Sequence, residues 1–260
     1  TMTPLFPTQG PITIRQGIGG SCYLLSSLDC ILNLGADGEQ LIKSLFTQTE
    51  DGKVIVRIKR HEALKDNLQK NKMTGKYTHY VDELNNEDVF EISPERLKEI
   101  DNQYGGVKSN SLAIKILERL VSYYYAGDWS NTDPLASVVA HDIPDRIAGF
   151  TSTAFLGKFF GIEAEDIPYS KLDDIIKLKL MNPDEPVYIS MSYGKVDSFG
   201  KFHGRHALRI DKIIPKGSGN YDFVLINPHD NSKTETYKLD DLNKRNCRFC
   251  LFNTSIHRAS

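Results

Sequence analysis

The chain has no excess of charge of either sign, no long hydrophobic run and no internal repeat. Its 32 Lys and Arg residues nearly balance 34 Asp and Glu residues, which gives a formal net charge of -2. No general attraction to nucleic acid or to an anionic membrane is therefore expected. The longest apolar stretches, such as residues 23–34, are too short and too polar to span a bilayer. We expect neither a nucleic-acid partner nor a membrane span.

Cysteine is also scarce. Four cysteines in 260 residues are too few for a disulfide scaffold, and no secretory signal is visible. We therefore expect a reducing compartment, in which a free thiol can be kept for chemistry. The cytoplasm fits this expectation, and so does a bacterial effector that is delivered into a host cell.

The hydrophobic pattern that is present changes along the chain. Apolar residues recur with a helical period in residues 21–35 and 111–127, and residues 52–60 alternate as a strand does. The region from 60 to 105 is polar and predicts mostly loops with short elements.

The second half is dominated by strand patterns. They cover residues 186–193, 206–213, 221–227 and 247–252. A helix-rich part followed by a strand-rich part predicts an α+β fold. We expect a helical N-terminal lobe over residues 1–150 and an antiparallel, β-rich C-terminal lobe over residues 151–260.

Residues 17–32, "GIGGSCYLLSSLDCIL", place Cys22 at the start of the first predicted helix. There the positive end of the helix dipole and the unsatisfied N–H groups stabilise a thiolate and lower a thiol pKa. Gln16 lies six residues upstream, where its side-chain amide can join the backbone N–H of Cys22 in binding an oxyanion. Cys22 is therefore the candidate nucleophile.

A thiol nucleophile needs a base, and His206 is the one histidine that opens a strand with a testable register. If residues 206–213 and 221–227 form a hairpin with His206 opposite Asn227, Ile213 lies opposite Asn220 and residues 214–219 form the loop. The carboxamide oxygen of Asn227 then accepts a proton from one imidazole nitrogen, and the other nitrogen is left for the thiol.

These residues resemble the active-site segments of the calpains, within the papain superfamily. "QGIGGSCYLL" is similar to the calpain sequence Q-G-x-x-G-D-C-W-L-L, "GRHAL" to G-H-A-Y and "INPHD" to R-N-P-W-G, in the same chain order. The resemblance implies a papain-like fold of two lobes with a central active-site helix. It implies that Gln16 is the oxyanion-hole glutamine, Cys22 the nucleophile, His206 the general base and Asn227 the residue that orients it.

The chain departs from the calpain pattern at three positions. Ser21 replaces Asp, as in papain, and Tyr23 replaces Trp. His229 replaces the Trp that shields the His–Asn hydrogen bond in the family, which brings a second imidazole toward the site. Many calpains bind calcium, but no D-x-D-x-D-G loop is visible here, and we assign no metal or cofactor site. The chemistry itself needs no cofactor.

The leading functional hypothesis is a calpain-like cysteine endopeptidase that acts on protein or peptide substrates. A deubiquitinase or other isopeptidase, or a glutamine deamidase or transglutaminase, would use the same triad with another acceptor. An inactive binding module of the same fold is the third reading, and the substitution at His229 is its only support.

Overall fold

The computed structural model describes residues 2–18, 20–60, 77–126 and 154–253. This part of the chain folds into helices and two antiparallel sheets, which confirms the α+β class. The helices are α1 (Cys22–Leu32), α2 (Ala36–Lys43), α3 (Pro94–Asn102), α4 (Leu112–Ala126), α5 (Ala154–Phe160), α6 (Leu172–Met181) and α7 (Leu239–Leu242), with a 3-10 turn at Tyr169–Lys171. The strands are β1 (Phe46–Gln48), β2 (Val54–Lys59), β3 (Tyr77–Asp82), β4 (Glu87–Ile92), β5 (Glu163–Pro168), β6 (Val187–Ser192), β7 (Arg205–Gly217), β8 (Asn220–Ile226), β9 (Thr234–Lys238) and β10 (Arg248–Asn253).

The first half contains a four-stranded sheet in the order β1-β2-β4-β3 as well as helices α1 to α4. The sequence predicts mostly loops with short elements over residues 60–105. Strands β3 and β4 and helix α3 all lie in that range. In β4 the adjacent residues Val89 and Phe90 are both fully buried. Because both faces of β4 are covered, its sequence lacks the alternation that marks a strand with one solvated face.

The second half forms a six-stranded sheet in the order β5-β10-β6-β7-β8-β9. Helix α6 packs on one face of this sheet. Together they form a hydrophobic cluster whose buried residues all come from the second half of the chain, from Leu172 to Phe249. The other face, which includes Tyr188, Ala207 and Cys250, joins the larger cluster that contains helix α1 and the first sheet. Helix α1 therefore packs on this face, against β6 and β7.

The β7–β8 hairpin differs from its predicted register. Arg209 pairs with Ile226 rather than with Val224, and Gly217 pairs with Asn220 across a tight turn of Ser218 and Gly219. Both turn residues have positive φ, 55° and 75°, as a type I′ turn requires. Near Arg209 the shift is two residues, and an even shift leaves each side chain on its predicted face.

The predicted division at residue 150 falls in residues 127–153, outside the described residues, and stays a prediction. Among the helices that are described, none has the length and apolarity that a membrane crossing requires.

Candidate active site

Helix α1 presents one polar stripe to strand β7. Cys22, Ser26 and Asp29 lie at helical positions i, i+4 and i+7 and so share a face. The Ser26 hydroxyl donates to the carbonyl of Ala207 at 2.8 Å, and Asp29 binds the guanidinium of Arg209 at 2.8 Å. The first turn of α1 is thereby held against the start of β7, directly beside His206.

Cys22 is the first residue of α1, as the sequence predicts, and it is half-buried. Burial raises the pKa of its thiol above the ordinary value, whereas the backbone N–H groups of Ala207, Tyr23 and Cys22 itself lower the pKa by a smaller amount. The expected donors are thus present, but the expected net direction is wrong. The position favours a neutral thiol in the resting protein.

His206, the second residue of β7, forms the predicted hydrogen bond with Asn227. Its Nε2 lies 2.7 Å from Asn227 Oδ1, and the two residues are only 6% and 5% exposed. Burial lowers the pKa of His206 to about 4, although the Asn227 hydrogen bond and the charge of Glu235 act to raise it. The imidazole is therefore neutral at neutral pH.

The orientation of the Asn227 amide is set by its other partners. Oδ1 also accepts from the backbone N–H of His229 at 2.9 Å. Nδ2 donates to the Tyr193 hydroxyl at 3.0 Å and to Glu235 Oε2 at 2.8 Å. A backbone N–H needs an acceptor and a carboxylate needs a donor, so the amide cannot be flipped. His206 must donate from Nε2, which leaves Nδ1 with the lone pair.

Two rings cover the imidazole of His206. Tyr193 lies 4.9 Å from it between ring centroids and His229 lies 4.5 Å from it. His229 therefore puts a second imidazole in direct ring contact with that of His206. His229 itself is exposed, and its positive charge, when present, lowers the pKa of His206.

The segment that carries Gln16 is tied to the same region. The Gln16 backbone N–H donates to the Pro228 carbonyl at 2.8 Å. Asn231 holds the residues that precede Gln16 against helix α1. Its Oδ1 accepts from the Ile14 N–H at 2.8 Å, and its Nδ2 donates to Asp29 at 3.1 Å. The structure thus places Gln16, Cys22, His206 and Asn227 on adjoining elements. Their catalytic roles stay predictions.

Ser21, which precedes Cys22, does not cap α1 with its side chain. Its hydroxyl donates instead to Glu118 Oε2 at 2.5 Å, and Glu118 Oε1 accepts from the Val107 N–H at 2.9 Å. Burial raises the pKa of Glu118, while these two hydrogen bonds lower it. This buried carboxyl connects the start of α1 to helix α4.

Several of these residues were not predicted from the sequence. Asp29 could have been found, because a charged residue inside an apolar helical stripe calls for a buried partner. Glu235 could have been found from the alternation in "TETYK", which puts Glu235 and Tyr237 on one face of β9. Tyr193 and Glu118 carry no sequence signal that separates them from ordinary packing residues.

No group of three or more His, Cys, Asp or Glu side chains is arranged to hold a metal ion in the described parts of the chain. The chain matches no protein-family model, and no curated protein matches its sequence.

Proposed function

We propose that this chain is a calpain-like cysteine endopeptidase with the papain-like arrangement of two lobes. The observation that carries the proposal is the His206–Asn227 hydrogen bond of 2.7 Å, beside a cysteine at a helix start whose sulfur faces the N–H of Ala207. A thiol, an imidazole of fixed tautomer and an amide that orients it form the set that nucleophilic acyl transfer requires.

In the proposed reaction the Cys22 proton moves to Nδ1 of His206 as the sulfur attacks the carbonyl carbon of a peptide bond. The carbonyl oxygen becomes an oxyanion, which the backbone N–H of Cys22 and the side-chain amide of Gln16 bind. When the C–N bond breaks, His206 returns its proton to the leaving amine. Water, deprotonated by His206, then hydrolyses the thioester and restores the thiol.

The neutral state of His206 supports its role as a general base at neutral pH. Its low pKa, about 4, keeps the imidazole neutral throughout the neutral range, so that the Nδ1 lone pair is free to take the thiol proton, and the charge of the new thiolate stabilises the imidazolium that forms. The raised pKa of the Cys22 thiol, which burial causes, means that the nucleophile is activated as the proton is transferred and is not held as a permanent thiolate.

The test is proteome-wide mapping of new peptide termini after incubation with the wild-type chain or with Cys22→Ala. The proposal predicts internal cleavages that are present with the wild type and absent with the variant, while circular dichroism shows the same fold for both. Incubation with a ubiquitin vinyl sulfone serves as the second arm. If ubiquitin vinyl sulfone labels Cys22 and no internal cleavages are found, the chain is an isopeptidase and not an endopeptidase. If neither reaction occurs, the proposal is contradicted.

A further inference from the structure

A row of polar side chains crosses four adjacent strands at one end of the six-stranded sheet. Tyr193 follows β6, His206 lies in β7, Asn227 follows β8 and Glu235 lies in β9, and these strands are neighbours in this order. The pairs Met191–His206 and Leu225–Glu235 set the register, so all four side chains point to one face. The row ends in a carboxylate.

Glu235 accepts hydrogen bonds from three neutral groups. Oε2 accepts from Asn227 Nδ2 at 2.8 Å, and Oε1 accepts from the hydroxyls of Tyr237 at 2.8 Å and Tyr193 at 3.4 Å. Within the described residues it forms no ion pair with Lys, Arg or His. Its negative charge is therefore held in place, half-buried, without a cation to neutralise it.

We propose that Glu235 is a positioning residue that fixes the tautomer of His206 through Asn227 and favours the protonated form of His206 during catalysis. The inference rests on the proposed thiol chemistry of Cys22. It goes beyond the Cys–His–Asn set, since it adds a carboxylate that touches neither the substrate nor the reacting atoms.

The tautomer follows from the hydrogen bonds. Because Glu235 occupies the Nδ2 side of Asn227, Oδ1 must face His206, and Nε2 must carry the proton. Without an acceptor at Glu235 the amide would lose one reason to keep this orientation. The carboxylate thus acts on the imidazole through one intervening side chain.

The effect of Glu235 on the protonated form of His206 follows from the groups near the imidazole. Tyr193 at the end of β6 and His229 in the loop after β8 lie in ring contact with His206, and Glu235 on β9 is linked to it through Asn227. From α1 the Cys22 sulfur faces the N–H of Ala207, the residue after His206. Glu235 raises the pKa of His206 and His229 lowers it. When the Cys22 proton moves to Nδ1, a thiolate and an imidazolium form, and Glu235 is the one fixed anion in the row that stabilises the imidazolium.

The pH dependence of Cys22 alkylation by iodoacetamide tests this inference without any peptidase assay. In the proposed pair the thiolate forms by proton transfer to His206, and the charge of the new thiolate raises the pKa of the imidazole beside it. The rate near pH 7 therefore follows the stability of the imidazolium. We expect Glu235→Gln to lower the rate about fivefold to tenfold, since a loss of one pKa unit corresponds to tenfold. At strongly alkaline pH, where the thiol ionises without the imidazole, the rates of variant and wild type should converge.

The matched control is Glu165→Gln, which removes an exposed carboxylate from β5 and should leave the rate unchanged. The tautomer of His206 is read by ¹⁵N NMR of the labelled protein. The carboxamide oxygen introduced by Glu235→Gln can still accept from Asn227, so this variant should keep the Nε2-protonated tautomer, whereas Glu235→Ala should give a mixture.

Two results would overturn the inference and leave the proposed function intact. One is a Glu235→Gln rate equal to that of the wild type near pH 7. The other is an unchanged tautomer in Glu235→Ala with only a lower melting temperature, which a purely structural role predicts. If instead the wild-type rate near pH 7 is no higher than that of His206→Ala, the thiol–imidazole pair itself fails, and the proposed function fails with it.

Discussion

The two sides of the candidate site, which we call the nucleophile side and the base side after the roles proposed for Cys22 and His206, are built differently. On the nucleophile side, Cys22 is surrounded by backbone N–H groups at a helix start, and the helix is held by Ser26, Asp29 and Ser21. On the base side, His206 is held by side chains at the ends of neighbouring strands. Asn227 forms a hydrogen bond with it, and the ring of Tyr193 packs against its imidazole.

This difference indicates where reactivity is controlled. Backbone donors lower the thiol pKa only in part, because burial outweighs them. The side chains around His206 instead act on its pKa in both directions, since Glu235 raises the pKa of the imidazole and His229 lowers it. We infer that the nucleophile side mainly fixes geometry and the base side mainly sets the energy of proton transfer.

The largest expected effect is on the base side. His206→Ala should lower kcat for peptide hydrolysis about 10³-fold, within the range that general acid–base catalysis contributes. The control is His203→Ala, because His203 lies on an exposed loop and pairs with Asp197. Steady-state kinetics on a peptide identified by cleavage mapping measure both variants. An equal loss in both would contradict the distinction between these two histidines.

On the nucleophile side, breaking the ion pair between Asp29 on α1 and Arg209 on β7 is expected to lower stability. Asp29→Asn should lower the free energy of unfolding by about 2 kcal/mol, because it removes the charge-assisted hydrogen bond to the Arg209 guanidinium and leaves it only the partly exposed Asp211 as a charge partner. Urea denaturation measures the change.

The control for this prediction is Asp166→Asn, which breaks an exposed ion pair with Arg248. It should change stability by no more than about 0.5 kcal/mol. Equal effects of the two substitutions would show that the α1–β7 pair is no more than a surface contact.

Acidification should destabilise the base side. His206 has a pKa of about 4 in the folded chain and an ordinary value of 6.5, so the unfolded chain binds the extra proton between these values. Stability therefore falls as the pH falls, by about 2 kcal/mol from this group between pH 7 and about pH 5. Urea denaturation at the two pH values should show a smaller decrease in His206→Gln than in the wild type, and equal decreases would contradict the assignment.

The smallest expected effect concerns the start of α1. Ser21→Ala removes the hydroxyl that donates to buried Glu118 and should cost about 1 kcal/mol of stability. It should leave the pH dependence of Cys22 alkylation unchanged, because Ser21 fixes the position of the helix and not the charge near the thiol. A shifted profile would place electrostatic control on the nucleophile side as well.

The sequence predicts the elements that carry the site better than it predicts their contacts. The start of α1 at Cys22 could be located because the apolar period begins there and the preceding residues are glycine and serine. The strands that carry His206 and Asn227 could be located by alternation. Strand β4 could not, because residues such as Val89 and Phe90 are buried on both faces.

The hairpin register could not be read from the sequence for a different reason. Irregularities at Asp211 and Lys216 each insert one residue into β7, and alternation does not mark where such a residue falls. The predicted six-residue loop is therefore a two-residue turn. His206 still reaches Asn227, because an even shift near Arg209 keeps both side chains on one face.

The direction in which the pKa of Cys22 is shifted could not be predicted from the sequence either. A helix start predicts donors, and the donors are there, but the extent of burial depends on how strand β7 packs over the first turn. Glu235 shows the same limit, since its contact with Asn227 depends on the pairing of β8 with β9.

The most direct test of the central claim is a residue-by-residue map of iodoacetamide labelling in the native chain near pH 7. Cys22 is half-buried, whereas Cys30, Cys247 and Cys250 are buried. The thiol–imidazole pair predicts that Cys22 is labelled first and that His206→Ala, but not His203→Ala, slows this labelling. Faster labelling of another cysteine, or an equal rate in all three proteins, would contradict the account.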